Sequence, residues 1–266
     1  MQNNYPIGIF DSGLGGLIVL KELKKILPKE NFIYFGDTAH IPYGNKSERA
    51  IQEYSSKIVK FLNEKQVKTI VVACNSASSV AIKKIKEITS TPIIDVIDPA
   101  VKKACSLTNN NQVGIIGTEA TINSNAYQNY IAKFNSSIQV IPQHCPLLVP
   151  IIEEGLHNHK IGINAIHLYL NTFNKKNIDT LILGCTHYPI MKETIKNYLN
   201  KNITIINSAT ETALAVQKFI QDNNLNNMGE FKQNNQYYVS DKTIRFHKLA
   251  NQFLNSPVDH IDQIKL

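Results

Sequence analysis

Two short stretches of this chain end in the same way, and that repetition constrains its fold more than any other feature. Residues 180–189 read T-L-I-L-G-C-T-H-Y-P, and residues 69–79 read T-I-V-V-A-C-N-S-A-S-S. Each holds three consecutive aliphatics, Leu181, Ile182 and Leu183 or Ile70, Val71 and Val72. Such a run suits a strand covered on both faces. A cysteine follows, Cys185 or Cys74, and then small polar residues or a proline of the kind that open a helix. Each unit sets a thiol at the C-terminal end of a parallel strand, the edge at which open α/β sheets bind ligands.

The upstream strands correspond as well. Residues 7–13 (I-G-I-F-D-S-G) precede Cys74 by 66 residues counted from Gly8, and residues 113–121 (V-G-I-I-G-T-E-A-T) precede Cys185 by 71 counted from Gly114. Two strand-turn-helix units thus recur about 110 residues apart, which reads as an internal duplication. The expected fold is α/β: two similar lobes of mostly parallel sheet flanked by helices, related by pseudo-symmetry, with the active site between them. A proline-bounded strand at 91–98 places the first crossover, so residues 1–98 plus 208–266 are expected to form one lobe and 99–207 the other.

A chain of 266 residues with 43% hydrophobic content can build such cores. It has no apolar run of 18 residues and no signal-peptide pattern at its start, so a cytoplasmic location is expected and no membrane partner. Cys74, Cys105, Cys145 and Cys185 form no C-x-x-C pair and are expected to be free thiols. The net charge of +7 comes from lysines spread over helix faces without aromatic platforms. Solvated helix surface explains it better than nucleic-acid binding, and a basic balance also suits an anionic substrate.

Taken in order, the strand at 7–10 ends in D-S-G-L-G-G, followed by an amphipathic helix to about residue 27. Asp11 or Ser12 would accept backbone N–H groups at that turn. The pattern is neither G-x-G-x-x-G nor a phosphate loop, and a carboxylate there suits an ammonium group or the orientation of a thiol. A strand at 32–35 leads into G-D-T-A-H-I-P-Y-G, a loop rich in hydrogen-bonding groups, and a helix over 47–63. The second half begins with a strand at 112–116, a helix over 120–134 and a strand at 138–141. Cys105 and Cys145 read as packing, Glu153 taken alone as a surface cap, and His157 and His159 as exposed loop, with no metal-spaced cluster. A strand at 203–206 and a helix to about residue 221 follow. The Asn-rich segment 222–235 reads as a mobile loop. A strand at 237–240 and a helix over 246–254 should dock back on the first lobe.

A thiol at a helix N-terminus is expected to be acidified by the partial positive charge there. Two such thiols facing each other can remove a proton from one face of a carbon and return one to the other face, inverting it. That requires one thiolate and one thiol at once. Asp11 is positioned to assist Cys74 and His187 to assist Cys185, while Asn75, Ser76 and Thr186 offer neutral donors to a substrate carboxylate. Nothing in the chain suggests a cofactor.

At these residues the chain resembles the glutamate racemases, the cofactor-independent family that supplies D-glutamate for bacterial peptidoglycan. The resemblance rests on F-D-S-G-L-G-G, F-G-D-T-A-H-I-P-Y-G, A-C-N-S-A-S, G-T-E-A-T, C-P-L-L-V-P-I-I-E and G-C-T-H-Y-P, and covers essentially the whole length. It implies Cys74 and Cys185 as the acid/base pair, the first taking the proton from the D-enantiomer and the second from the L-enantiomer. It implies that Asp11, Glu153 and His187 tune them. Asp11, Ser12, Pro42, Tyr43, Gly44, Asn75, Ser76, Thr118, Thr121, Thr186 and His187 are expected to hold glutamate, and a homodimer is expected. Ser76 stands where the family usually has Thr, His40 where Arg is common, and Asn207 where an acid is common. The chain lacks the N-terminal extension that some relatives use to bind a peptidoglycan-precursor activator, so that control is not expected. The competing readings are a racemase of another acidic amino acid such as aspartate, a thiol redox protein, and a nucleic-acid-associated protein.

Overall fold

The computed structural model describes residues 3–199, 202–229, 234–258 and 260–266. Strands β1 (Ile7–Asp11), β2 (Phe32–Gly36), β3 (Thr69–Val72) and β4 (Ile93–Asp95) lie in the order β2-β1-β3-β4 of one sheet. Strands β5 (Gln112–Gly117), β6 (Gln139–His144), β7 (Thr180–Gly184) and β8 (Thr204–Asn207) form a second sheet in the order β6-β5-β7-β8. The second order is the first repeated, four strands later. Strands β9 (Gln236–Val239) and β10 (Asp262–Gln263) extend the first sheet beyond β2, docking the C-terminal segment there as expected. Every strand pairing among the described residues is parallel.

The repetition holds at single residues. Gly8 of β1 pairs with Ile70 of β3, and Gly114 of β5 pairs with Leu181 of β7; each cysteine lies four residues after that partner. The two glycines also do the same work. A Cβ on Gly8 would come within 3.1 Å of Val67, and one on Gly114 within 2.8 Å of Ile178, each being the residue three before the paired position. A bare backbone lets an aliphatic anchor sit under the strand start in both halves. This is why the spacing from these glycines to the cysteines carries the duplication.

β1, β2, β3 and β7 are buried along their whole length, as parallel strands covered on both faces must be. Helix Asp98–Leu107 carries the chain from the first sheet to the second, helix Ser208–Asp222 carries it back, and the two helices pack on each other. Both crossovers therefore run side by side.

Two expectations change. The single helix over 120–134 is two helices, Glu119–Asn123 and Ala126–Phe134, because Asn125 adopts the left-handed region (φ 54°), which asparagine tolerates better than most residues. The segment expected to be mobile begins only after the helix ends at Asp222, and its described part is anchored. Lys68 Nζ donates to the Leu225 carbonyl at 2.7 Å, and the Asn227 amide donates to Glu30 Oε1 at 2.9 Å. Lys68 is itself fully buried against Glu30, so an ion pair ties this loop to the first sheet. Residues 230–233 of that segment lie outside the described residues.

Candidate active site

A cavity of about 240 Å³ is built from residues just past the C-terminal ends of strands in both sheets. The first sheet contributes Asp11 and Ser12 after β1, Pro42, Tyr43 and Gly44 in the loop after β2, and Cys74, Asn75 and Ser76 after β3. The second contributes Thr118 after β5 and Cys185, Thr186 and His187 after β7. Both thiols thus face one space from equivalent positions of the repeat, and both are buried.

Glycines let the two halves approach. A Cβ on Gly15 would lie 2.6 Å from His187 Nδ1, and one on Gly44 would lie 2.8 Å from the Thr118 side chain. The Ser76 hydroxyl meets the Thr118 hydroxyl at 3.0 Å, and Thr118 in turn meets Thr121 at 3.1 Å. Thr121 is fully buried behind Thr118 rather than on the wall, since residues three apart share a helix face.

On the Cys74 side the sulfur contacts the Ser12 hydroxyl at 3.7 Å. Asp11 accepts the Gly13 amide through Oδ2 at 2.9 Å. Its Oδ1, like Oδ1 of Asn75, is buried without a hydrogen-bond partner among the described residues. Asn75 donates its amide nitrogen to Tyr127 at 2.8 Å, so its oxygen stays open, an acceptor where the sequence suggested a donor. Burial raises the Asp11 carboxyl, opposed by the His187 charge and by backbone N–H groups. The expected acidification of Cys74 is reversed: burial and then the Asp11 charge push its thiol up to about 12. The following helix, Asn75–Val80, has only six residues, and its Ala77 N–H pulls the other way too weakly to win.

The Cys185 side differs. Cys185 Sγ lies 3.8 Å from His187 Nδ1, and His187 Nε2 lies 3.2 Å from Glu153 Oε1. Burial alone would lower His187, but the Cys185 sulfur and the Glu153 carboxylate raise it to about 10. An imidazolium therefore stands beside one thiol and a carboxylate beside the other. Glu153, which sequence alone assigned to a surface cap, lies behind His187 with 17% of its side chain exposed.

Tyr43 is fixed from behind. Its hydroxyl donates to Asp37 at 2.6 Å, and burial together with that carboxylate raises it far above its ordinary range, so it stays protonated. Asp37 also receives Ser240 at 2.6 Å and His40 at 2.8 Å, and His40 stacks on Tyr54. His40 thus orients the loop that carries Tyr43. Asn207 caps the helix Ser208–Asp222 by accepting the Ala209 amide at 3.1 Å. Cys145 is fully buried and Cys105 half-buried, while His159 caps the helix Lys160–Asn174.

Asn45, Glu119, Pro146, Val149 and Pro150 also line the cavity and were not singled out from the sequence. All but Asn45 lie inside quoted motifs, where only their neighbours carried recognisable chemistry. No group of three or more His, Cys, Asp or Glu that could hold a metal occurs among the described residues, and no helix among them is long and apolar enough to cross a membrane.

The profile of the Asp/Glu/hydantoin racemase family matches residues 10–216. A glutamate racemase of Geobacter metallireducens is 40% identical over 260 residues, covering 98% of this chain and 96% of the relative. The crystal structure of glutamate racemase from Francisella tularensis in complex with D-glutamate superposes with a TM-score of 0.94 at 41% identity, covering 99% of this chain and 98% of the other. That of the Escherichia coli enzyme with L-glutamate and the activator UDP-MurNAc-Ala gives 0.81 at 27% identity, covering 98% of each.

Proposed function

The chain belongs to the Asp/Glu/hydantoin racemase family, and from that premise and the pocket we propose that Cys74 and Cys185 exchange the Cα proton of glutamate on opposite faces. The enzyme interconverts L- and D-glutamate, the reaction for which its full-length relatives are named. The observation that carries the two-thiol assignment is that both sulfurs reach one cavity from equivalent register positions.

In the L-to-D direction the Cys185 thiolate takes the Cα proton, leaving a planar carbanion, and the Cys74 thiol delivers its proton to the other face. Cys185 ends as thiol and Cys74 as thiolate, and the D-to-L direction runs the same steps backward. The high proton affinity of Cys74 suits it to donation, and the imidazolium of His187 offsets the negative charge at Cys185. The substrate ammonium is assigned to Oδ1 of Asp11 and Oδ1 of Asn75, which have no hydrogen-bond donor among the described residues. Ser12, Pro42, Tyr43, Gly44, Ser76, Thr118 and Thr186, with Thr121 behind them, shape the remaining wall and offer donors to the carboxylates.

The two lobes in this reading are residues 1–98 plus 208–266 and residues 99–207. The enzyme acts without a cofactor, in the cytoplasm, as a homodimer that supplies D-glutamate for peptidoglycan; light scattering of purified protein tests the dimer. The mechanism is tested by Cys74→Ala and Cys185→Ala. Each is expected to lose racemisation by at least about 10³-fold, in line with removal of an acid/base group. Turnover near wild type by either variant contradicts the assignment.

A further inference from the structure

The Glu153 carboxylate divides its two oxygens between partners from different parts of the fold. Oε1 holds His187 at 3.2 Å, and Oε2 faces Arg245 Nη2 at 3.8 Å, an ion pair rather than a hydrogen bond. Arg245 belongs to the helix Ile244–Leu254, which follows β9 of the first sheet, whereas Glu153 ends the helix Leu148–Glu153 between β6 and β7 of the second. The second terminal nitrogen, Nη1, is anchored on exposed Glu154 at 2.7 Å. The same C-terminal helix presents Phe253 edge-on to the His187 ring, with centroids 6.1 Å apart. One helix of the first sheet thus backs the acid/base group of the second at two points.

We propose that Arg245 is a positioning residue for the Cys185 half of the reaction, acting through Glu153 on His187. It touches neither thiol nor the cavity. Its charge fixes the plane of the Glu153 carboxylate, so that Oε1 stays aimed at Nε2 while the imidazole faces Cys185. The arm to Glu154 is a surface ion pair with 52% and 57% of the two side chains exposed, and such pairs add little by themselves. The arm to Glu153 is different, because that carboxylate is largely buried and its geometry reaches the reacting sulfur through one imidazole. Small displacements of acid/base groups have large effects on rate.

The inference rests on the assignment of Cys185 as an acid/base residue, and its test is arranged to separate the two. Arg245→Ala is expected to lower kcat about tenfold with KM within about twofold, and Arg245→Lys to return it to within about threefold of wild type. In Arg245→Ala the deuterium isotope effect on kcat/KM should rise with L-[2-²H]glutamate, because proton removal by Cys185 becomes more rate-limiting. It should fall with D-[2-²H]glutamate, because removal by Cys74 becomes less so. A general loosening of the fold would move both effects together. Turnover of Arg245→Ala within twofold of wild type, failure of lysine to restore it, or isotope effects that move in the same direction overturns the proposal. If Cys185→Ala is inactive while Arg245→Ala is normal, only this inference fails; if Cys185→Ala is active, the two-thiol reading fails first.

Discussion

The neighbourhoods of the two cysteines share a backbone plan and differ in charge. Cys74 and Cys185 stand four residues past the same register position in their sheets, each with a buried glycine one strand away. Around Cys74 the polar neighbours are Asp11 and Ser12, whereas Cys185 has His187 held by Glu153. Duplication explains the common plan, and the proposed two-thiol chemistry accounts for the divergence. A proton relay through a planar carbon needs one sulfur charged and one neutral, and identical surroundings would not prefer either arrangement. An anion beside Cys74 and a cation beside Cys185 do. The enantiomers have equal free energies in water, so kcat/KM must be equal in the two directions whatever the asymmetry. The difference between the sites is therefore visible only in kcat and KM taken separately, in isotope effects and in pH dependence.

The comparison breaks most severely if His187 is removed. His187→Ala leaves Cys185 without its cation and is expected to cost about 10³-fold in kcat, measured by polarimetry in either direction. A loss under tenfold would mean that the two sides are less different than their geometry suggests. Asp11→Asn tests the opposite side with the same shape and no charge. It should lower the proton affinity of Cys74, seen as iodoacetamide trapping of that thiol at lower pH, while turnover falls about 10²-fold because the ammonium loses its counter-charge. Unchanged trapping would show that burial alone raises Cys74.

Stability separates the two sides as well, because their raised groups titrate over different pH ranges. His187 is raised from 6.5 to about 10, so the folded state holds a proton that the unfolded chain has released. Its contribution is complete below about pH 6.5 and is lost as pH rises toward 10. Cys74 is raised from 9.0 to about 12, so its protonated form contributes below pH 9 and that contribution is lost between 9 and 12. Urea unfolding across these ranges should show His187→Ala flattening the lower window and Cys74→Ala the upper one. Identical profiles for the two variants would contradict the separate assignments.

Much of this was legible in the sequence because the informative residues are contiguous. Each cysteine, its strand and the polar residues after it lie within a dozen positions, and an apolar run of three closed at once by a cysteine and helix-opening residues suits a strand buried on both faces. The direction of the Cys74 shift was not legible, since burial is a property of the packed molecule and here outweighs the helix terminus that the sequence displays. Glu153 looked like a surface cap because its partner His187 lies 34 residues on, and Arg245 was invisible because Glu153 is 92 residues away. The turn-favouring run Asn123-Ser124-Asn125 was the available signal for the helix break, overridden by the apolar residues at helical spacing on either side of it. The buried Lys68–Glu30 pair was hidden for the same reason as Arg245: it joins segments distant in the chain.

Early turnover of L-glutamate in D2O decides whether the two thiols work on opposite faces of one carbon. With two acid/base groups, the D-glutamate formed in the first few per cent of reaction should carry deuterium at Cα in every molecule, while the remaining L-glutamate keeps its protium. Cα–H NMR of the separated enantiomers reads both. A substantial fraction of protium carried over into the D-glutamate would mean that one group removes and returns the proton, and the two-thiol account would be wrong.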